Sequence, residues 1–154
     1  MALMKTSEKG LDLIKQFEGF KDYVYMCPAG RPTIGYGHVI DQRLVALTKA
    51  APRMTREKAE QLLKNDVKEA ENAINSSVKV NISQGQFDAL VSLIYNWGAY
   101  NFKISNGLRK LNAGDYNGAA DEFFSNVRGV VNIDSEFSNG LYRRRQAELA
   151  LWQS

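Results

Sequence analysis

The sequence predicts an α+β, mostly helical fold of two lobes: a small antiparallel sheet in the N-terminal lobe, and a long helix leading to a helical C-terminal lobe. Three observations carry this. Between Lys21 and His38, aromatic and aliphatic residues alternate on either side of Cys27-Pro28-Ala29-Gly30, which reads as a turn, and no other stretch has the period of a strand. From Thr55 to about Ser76, Leu62, Leu63, Val67, Ala70, Ala73 and Ile74 recur at helical spacing. A helix of roughly 22 residues reaches about 33 Å, enough to connect two lobes. Every patterned stretch beyond it is helical. With 154 residues, 44% of them hydrophobic, the chain suffices for one domain with a sizeable core. The expected organisation is a single domain over 1–154: a small lobe at about 15–55, the connecting helix at about 55–76, and a helical lobe at about 77–154 joined by the N-terminal helix. A cleft between lobes is the default place for a site.

The first helix is expected from about Ser7, a plausible N-cap, to Glu18, with Gly19 as its stop and Leu11, Ile14 and Phe17 on one face. In the β region, Tyr23 and Tyr25 alternate with Val24 and Met26, and Thr33 to His38 form a second extended run, giving two or three strands. Thr55 can cap the long helix. Ser83 and Gln86 make a capping box for a helix through Phe87, Leu90, Val91, Ile94 and Trp97 that stops at Gly98. Shorter helices follow at about Ser105 to Asn112, with Gly114 behind it, and at about Tyr116 to Phe124. Ser125 to Asn139 reads as polar and irregular. A last helix, about Gly140 to Trp152, carries Arg143, Arg144 and Arg145.

Composition narrows the chemistry. One cysteine rules out a disulfide framework and a cysteine zinc site, and one histidine rules out a histidine-rich metal cluster. No metal and no cofactor is expected. Twenty basic against 17 acidic residues give a net charge of +3, and the pI is near 9.0. That balance suits a polyanionic partner, but a nucleic-acid module would want denser Lys and Arg on one face. No apolar run approaches the roughly 18 residues that span a bilayer. The polar start, Met1 to Gly10, has no secretory core, so a chain made in the cytosol is expected.

Glu18 stands four residues after Ile14 and seven after Leu11, on the apolar stripe of its helix. A partly desolvated carboxylic acid there is suited to protonating a glycosidic oxygen, whereas a carboxylate at a helix end can also simply reach solvent. Taken singly, Cys27 reads as packing and Thr33 as a strand former. Together they sit where the hairpin folds back towards Glu18. Asp66 faces the apolar side of the long helix, with Leu62 and Leu63 before it and Ala70 after it, so it needs a partner. Tyr95 and Asn96 offer a ring face and an amide, both suited to sugars and acetamido groups. The three arginines spread over roughly 200° of their helix. At least one is expected to pair with an acid inside the lobe, and the outward ones to favour anionic wall or lipid surfaces.

Glu18, eight residues, Cys27, five residues, Thr33, then Ile34-Gly35-Tyr36-Gly37-His38, resembles the catalytic signature of the phage-type lysozymes, glycoside hydrolase family 24. Leu62 to Ala73 resembles the family's interlobe helix, Tyr95 to Phe102 its cleft-side segment, and Gly140 to Glu148 its G-L-x-x-R-R-x-A-E helix. The resemblance is weakest over Val127 to Ser138. It implies a lysozyme-like fold and a muramidase, an endolysin that cuts the β-1,4 bond between N-acetylmuramic acid and N-acetylglucosamine in peptidoglycan. Glu18 is then the general acid, Cys27 positions or activates the attacking water, and Thr33 helps hold it. Tyr95, Asn96, Ile34 and Gly35 bind substrate, and His38 pairs with Asp66 as a structural link. The family is described as inverting, which places water between the acid and its partner.

Family members commonly carry Asp where this chain has Cys27, and a thiol with a pKa of about 8.5 is mostly protonated at neutral pH. Either its surroundings lower that pKa, or it only orients water, or another group such as Asp22 is the base. With no base at all, an internal sugar hydroxyl would give lytic transglycosylation, and a non-catalytic wall-binding domain would need no Glu18. The expected partner is the peptidoglycan glycan strand, for a monomer with no nucleic-acid partner. The expected location is the host cytoplasm, with release to the wall through a separate holin.

Overall fold

The computed structural model describes residues 3–125 and 136–154. Helix α1 covers Glu8–Glu18 and follows Ser7, whose carbonyl accepts the N–H of Leu11 at 3.0 Å. Strands β1 (Lys21–Met26), β2 (Pro32–Gly35) and β3 (His38–Val39) form an antiparallel sheet in that order, with Tyr25 opposite Thr33 and Ile34 opposite His38. The second extended run is therefore not continuous from Thr33 to His38. Gly35 and Gly37 have φ of +68° and +79°, left-handed values that turn the chain between β2 and β3, and an extended run has no place for them.

A 3-10 turn at Gln42–Leu44 leads into α2 (Val45–Ala50), which the sequence reading did not predict. None of its residues is buried, so it shows no apolar period to read. Helix α3 runs over Arg56–Ser77, 22 residues, and the hydroxyl of Thr55 accepts the N–H of Lys58 at 3.2 Å. Helix α4 (Gln84–Trp97) begins with the expected capping box, Ser83 N–H to Gln86 at 2.8 Å and Gln86 N–H to the Ser83 hydroxyl at 3.1 Å. A short α5 (Ala99–Lys103) follows, then α6 (Asn106–Asn112), capped by Ser105, and α7 (Tyr116–Ala120), capped by Asp115. The helix expected through Phe124 instead widens into a π turn at Asp121–Ser125, which buries both Phe123 and Phe124. Helix α8 spans Glu136–Trp152, starting four residues before the expected Gly140. Phe137 lies four residues ahead of Leu141, a helical spacing that the polar neighbours obscure. The rest of the stretch read as irregular, 126–135, lies outside the described residues.

The chain divides into two compact units, one of Ile14–Asp66 and one of Met1–Leu13 with Val67–Ser154. In the smaller unit Ile14, Ile34, Tyr36, Ile40, Ala59 and Leu63 are buried. The rings of Phe20 and Tyr36 lie 5.4 Å apart, the Arg56 guanidinium covers Phe20 at 4.5 Å, and Lys15 meets Glu60 at 2.9 Å. In the larger unit α4 packs against α8. Phe102, Phe123, Phe124 and Trp152 form an aromatic cluster, with Phe124 and Trp152 edge to face at 5.6 Å; such ring pairs add roughly 0.5–1.5 kcal/mol each beyond their buried area. The N-terminal segment is tied down by polar groups. The backbone N–H and the hydroxyl of Ser7 both donate to the buried Asp88 carboxylate, and the backbone N–H of Thr6 donates to Glu71 at 2.7 Å. Among the described residues, no helix is long and apolar enough to cross a membrane.

Candidate active site

Glu18 is the last residue of α1, half-buried, and its carboxyl group lies against the Cα of Gly37. A Cβ at position 37 would stand 2.6 Å from Glu18 Oε2 and 3.0 Å from its Cδ. Gly37 is thus required twice, once for its left-handed φ and once to leave room for the acid. The turn between β2 and β3 forms the floor on which the carboxyl group rests.

Cys27 follows β1 directly. Its N–H donates to the Arg31 carbonyl at 2.9 Å, and Gly30 N–H donates to the Cys27 carbonyl at 2.8 Å, which closes the turn as the sequence predicts. The Arg31 N–H points at Cys27 Sγ at 3.4 Å. Thr33, 2% exposed on β2, donates its hydroxyl to the Arg31 carbonyl at 2.9 Å and also stands within hydrogen-bonding reach of the thiol. Burial works to raise the Cys27 pKa, but hydrogen bonds from the backbone of Arg31, the side chain of Thr33 and the backbone of Ala29, together with the Arg31 charge, outweigh it. The thiol lies below its ordinary value, which brings thiolate nearer to neutral pH.

Tyr25 joins the two halves of this arrangement. It is two residues before Cys27 on β1 and directly opposite Thr33. Its pKa is raised, by burial first and then by the negative charges of Glu18, Cys27 and Tyr23. One phenol therefore feels both Glu18 and Cys27, and it holds its proton throughout the physiological range. In the sequence Tyr25 reads as a strand residue only, and its place beside the site comes from the pairing of β1 with β2. Ile34 and Gly35, the next residues of β2, are both buried, and Gly35 faces Met54 and Ala59. Asp22 is ion-paired with Arg53 at 3.0 Å.

His38, at the start of β3, meets Asp66 of α3, Nδ1 to Oδ2 at 2.8 Å. The Asp66 side chain is 24% exposed rather than sealed away. The His38 pKa is raised, by the hydrogen bond to Asp66 first, against burial and with the Asp66 charge adding to it. A raised pKa contributes stability that is complete below the unfolded value of about 6.5 and is lost as pH rises through the folded value. Asp66→Asn should therefore cost about 1 kcal/mol near pH 5.5, some 2–4 °C in Tm, and little at pH 9. Thermal melts across that range check it, and a loss that does not vary with pH would refute the charge pairing.

In the larger unit Tyr95 is half-buried and Asn96 exposed, both in the last turn of α4. Of the three consecutive arginines only Arg143 is exposed. Arg144 and Arg145 are buried and meet Glu148, itself fully buried, at 3.5 and 2.5 Å. The expected inward pairing of at least one arginine thus takes two, and the basic surface of this helix is smaller than its sequence suggests. Arg144 also donates to the Ser92 hydroxyl at 3.3 Å and to the Ser92 carbonyl at 3.1 Å, and Arg145 donates to Asn96 Oδ1. Among the described residues no group of three or more His, Cys, Asp or Glu side chains is placed to hold a metal ion.

A mostly helical chain with a small antiparallel sheet and an acid closing its first helix has the make-up of a lysozyme, a glycoside hydrolase. The family model described as phage lysozyme matches residues 15–148. The endolysin of Acyrthosiphon pisum secondary endosymbiont phage 1 is 42% identical over 98% of this chain and 99% of its own length. The endolysin of Salmonella phage P22 is 42% identical over 99% of this chain and its full length. Among solved structures, the muramidase domain of SpmX from Asticaccaulis excentricus superposes with a TM-score of 0.79 at 35% identity, covering 97% of this chain and 98% of that one. The chain belongs to the phage lysozyme family.

Proposed function

We infer that this chain is an endolysin that hydrolyses the β-1,4 bond between N-acetylmuramic acid and N-acetylglucosamine in peptidoglycan and so opens the host cell wall. Beyond the family, one observation carries the reading: Glu18 seated on Gly37, within electrostatic reach of a phenol that also feels Cys27 and stands opposite Thr33. Glu18 gives its proton to the glycosidic oxygen, so the bond from the muramic anomeric carbon to that oxygen breaks and the glucosamine side leaves as an alcohol. Water held by Cys27 and Thr33 attacks the anomeric carbon from the opposite face, and its proton passes to the Cys27 thiolate or to solvent. Tyr25, protonated, serves as a hydrogen-bond donor beside both groups. Tyr95, Asn96, Ile34 and Gly35 are the residues assigned to the glycan. The His38–Asp66 pair ties β3 to α3 and takes no part in proton transfer.

The whole chain acts as one catalytic domain and as a monomer, with no nucleic-acid partner. It is made in the host cytoplasm and reaches the wall with the help of a separate holin, and Arg143 is the residue of α8 that meets anionic surfaces. The deciding experiment is mass spectrometry of muropeptides released from purified sacculi. Reducing muramic acid ends are the expected product. Ends of 1,6-anhydro type would make the enzyme a lytic transglycosylase, and no release of glycan would make it a binding domain.

A further inference from the structure

A chain of polar side chains runs from the interior of the larger unit to its surface. Glu148 on α8 is fully buried, a costly place for an unpaired carboxylate. Arg145, 5% exposed, lies one turn away and donates Nη1 to Glu148 Oε1 at 2.5 Å. The other arm of the same guanidinium, Nη2, donates to Oδ1 of Asn96, which is exposed at the end of α4. A guanidinium has five N–H donors and no acceptor, so the atom of the carboxamide that faces it must be the oxygen. An exposed asparagine ordinarily turns its amide either way; this one cannot without setting NH2 against a buried cation. We propose that the Glu148–Arg145 pair locks the Asn96 carboxamide with its NH2 group outward, making Asn96 a pure donor that selects the acetamido carbonyl of the glycan. Arg145 and Glu148 are then positioning residues, and Asn96 determines specificity.

The chemistry of the ligand fits. Both sugars of the repeating unit carry hydroxyls, which accept and donate alike and so are read poorly by a single donor. The acetamido carbonyl only accepts. A fixed NH2 separates an acetylated sugar from its free amine, which would present donors of its own. This inference rests on the reading that Asn96 meets substrate.

Asn96→Asp tests it. The variant keeps an oxygen for Arg145, so folding is retained and Tm is not lowered, but it replaces the outward NH2 by an acceptor. On fully N-acetylated wall its half-saturating substrate concentration should rise about tenfold with kcat within about threefold of the parent. Across walls of graded chemical N-deacetylation, the parent should lose rate steadily, and the variant, whose carboxylate accepts from the free amine, should hold or gain rate. Arg145→Lys, which keeps the charge but loses the fork, should flatten the same dependence. The proposal is overturned by parental behaviour of Asn96→Asp, by a lowered Tm that accounts for its loss, by an equal loss on every wall, or by a parent whose rate ignores acetylation. A parent that releases no muropeptide at all would instead defeat the muramidase reading on which it stands.

Discussion

Glu18→Gln should lower lysis of chloroform-treated Gram-negative cells at least a hundredfold while leaving the circular dichroism melt unchanged. Glutamine keeps the shape that rests on Gly37 and has no proton to give. Protonation of a leaving group contributes typically 10²–10⁴-fold, and the scissile alcohol leaves poorly without it. The left-handed turn at Gly37 should accept the amide as it accepts the acid, so the loss belongs to chemistry and not to folding. Turbidity clearance measured against the parent at equal concentration checks this, and near-parental lysis would remove Glu18 from the reaction.

The next largest effect is expected at Cys27. If Cys27 holds the water and takes its proton as proposed, Cys27→Ala should lower lysis by about a hundredfold, the lower end of the range for a lost general base. Cys27→Asp should retain most of the activity, because a carboxylate accepts a proton at neutral pH without help from its surroundings. The lowered thiol pKa has a separate readout. Iodoacetamide should modify Cys27 with a pH midpoint below that of a free thiol, since Arg31, Thr33 and Ala29 favour the thiolate. Modification should abolish lysis, and wall fragments should slow it. Equal activity of Cys27→Ala and the parent would leave Cys27 as packing; Asp22, held by Arg53, would then be the next base to test.

What was legible in the sequence was what local chemistry determines. Ser83 with Gln86, Thr55, Ser105 and the glycine stops mark helix ends through contacts three or four residues apart, and those ends fall where expected. The hairpin turn after β1 is equally local. The break at Gly35–Gly37 was missed because alternation alone does not register φ, and only the pair of glycines one residue apart pointed to it. Helix α2 buries nothing and left no stripe to find. For the site, the spacing of Glu18, Cys27 and Thr33 was visible along the chain. The contributions of Gly37 and Tyr25 were not, since one depends on the end of α1 lying against the β2–β3 turn and the other on which strand lies opposite. The fate of Arg144 and Arg145 illustrates the same limit. Glu148 was in view three and four residues away, but Ser92 and Asn96 are about fifty residues distant, and only the packing of α4 on α8 makes a buried cation affordable.

The placement of the two tryptophans governs how unfolding of this protein can be watched. Trp152 is buried against Phe123 and Phe124, Trp97 is 40% exposed, and both belong to the unit that contains Val67–Ser154. Intrinsic emission excited at the indole band therefore combines a blue-shifted component from buried Trp152 with a water-relaxed one from Trp97, and both indoles stand in the same unit. The half that carries Glu18, Cys27 and Thr33 contains no indole and is optically silent in such a trace. A denaturation curve followed by tryptophan fluorescence therefore draws its signal from the unit that holds both indoles. The single thiol, Cys27, stands in the other unit, and the pH midpoint of its alkylation would move up towards that of a free thiol as the hydrogen bonds of Arg31, Thr33 and Ala29 are lost.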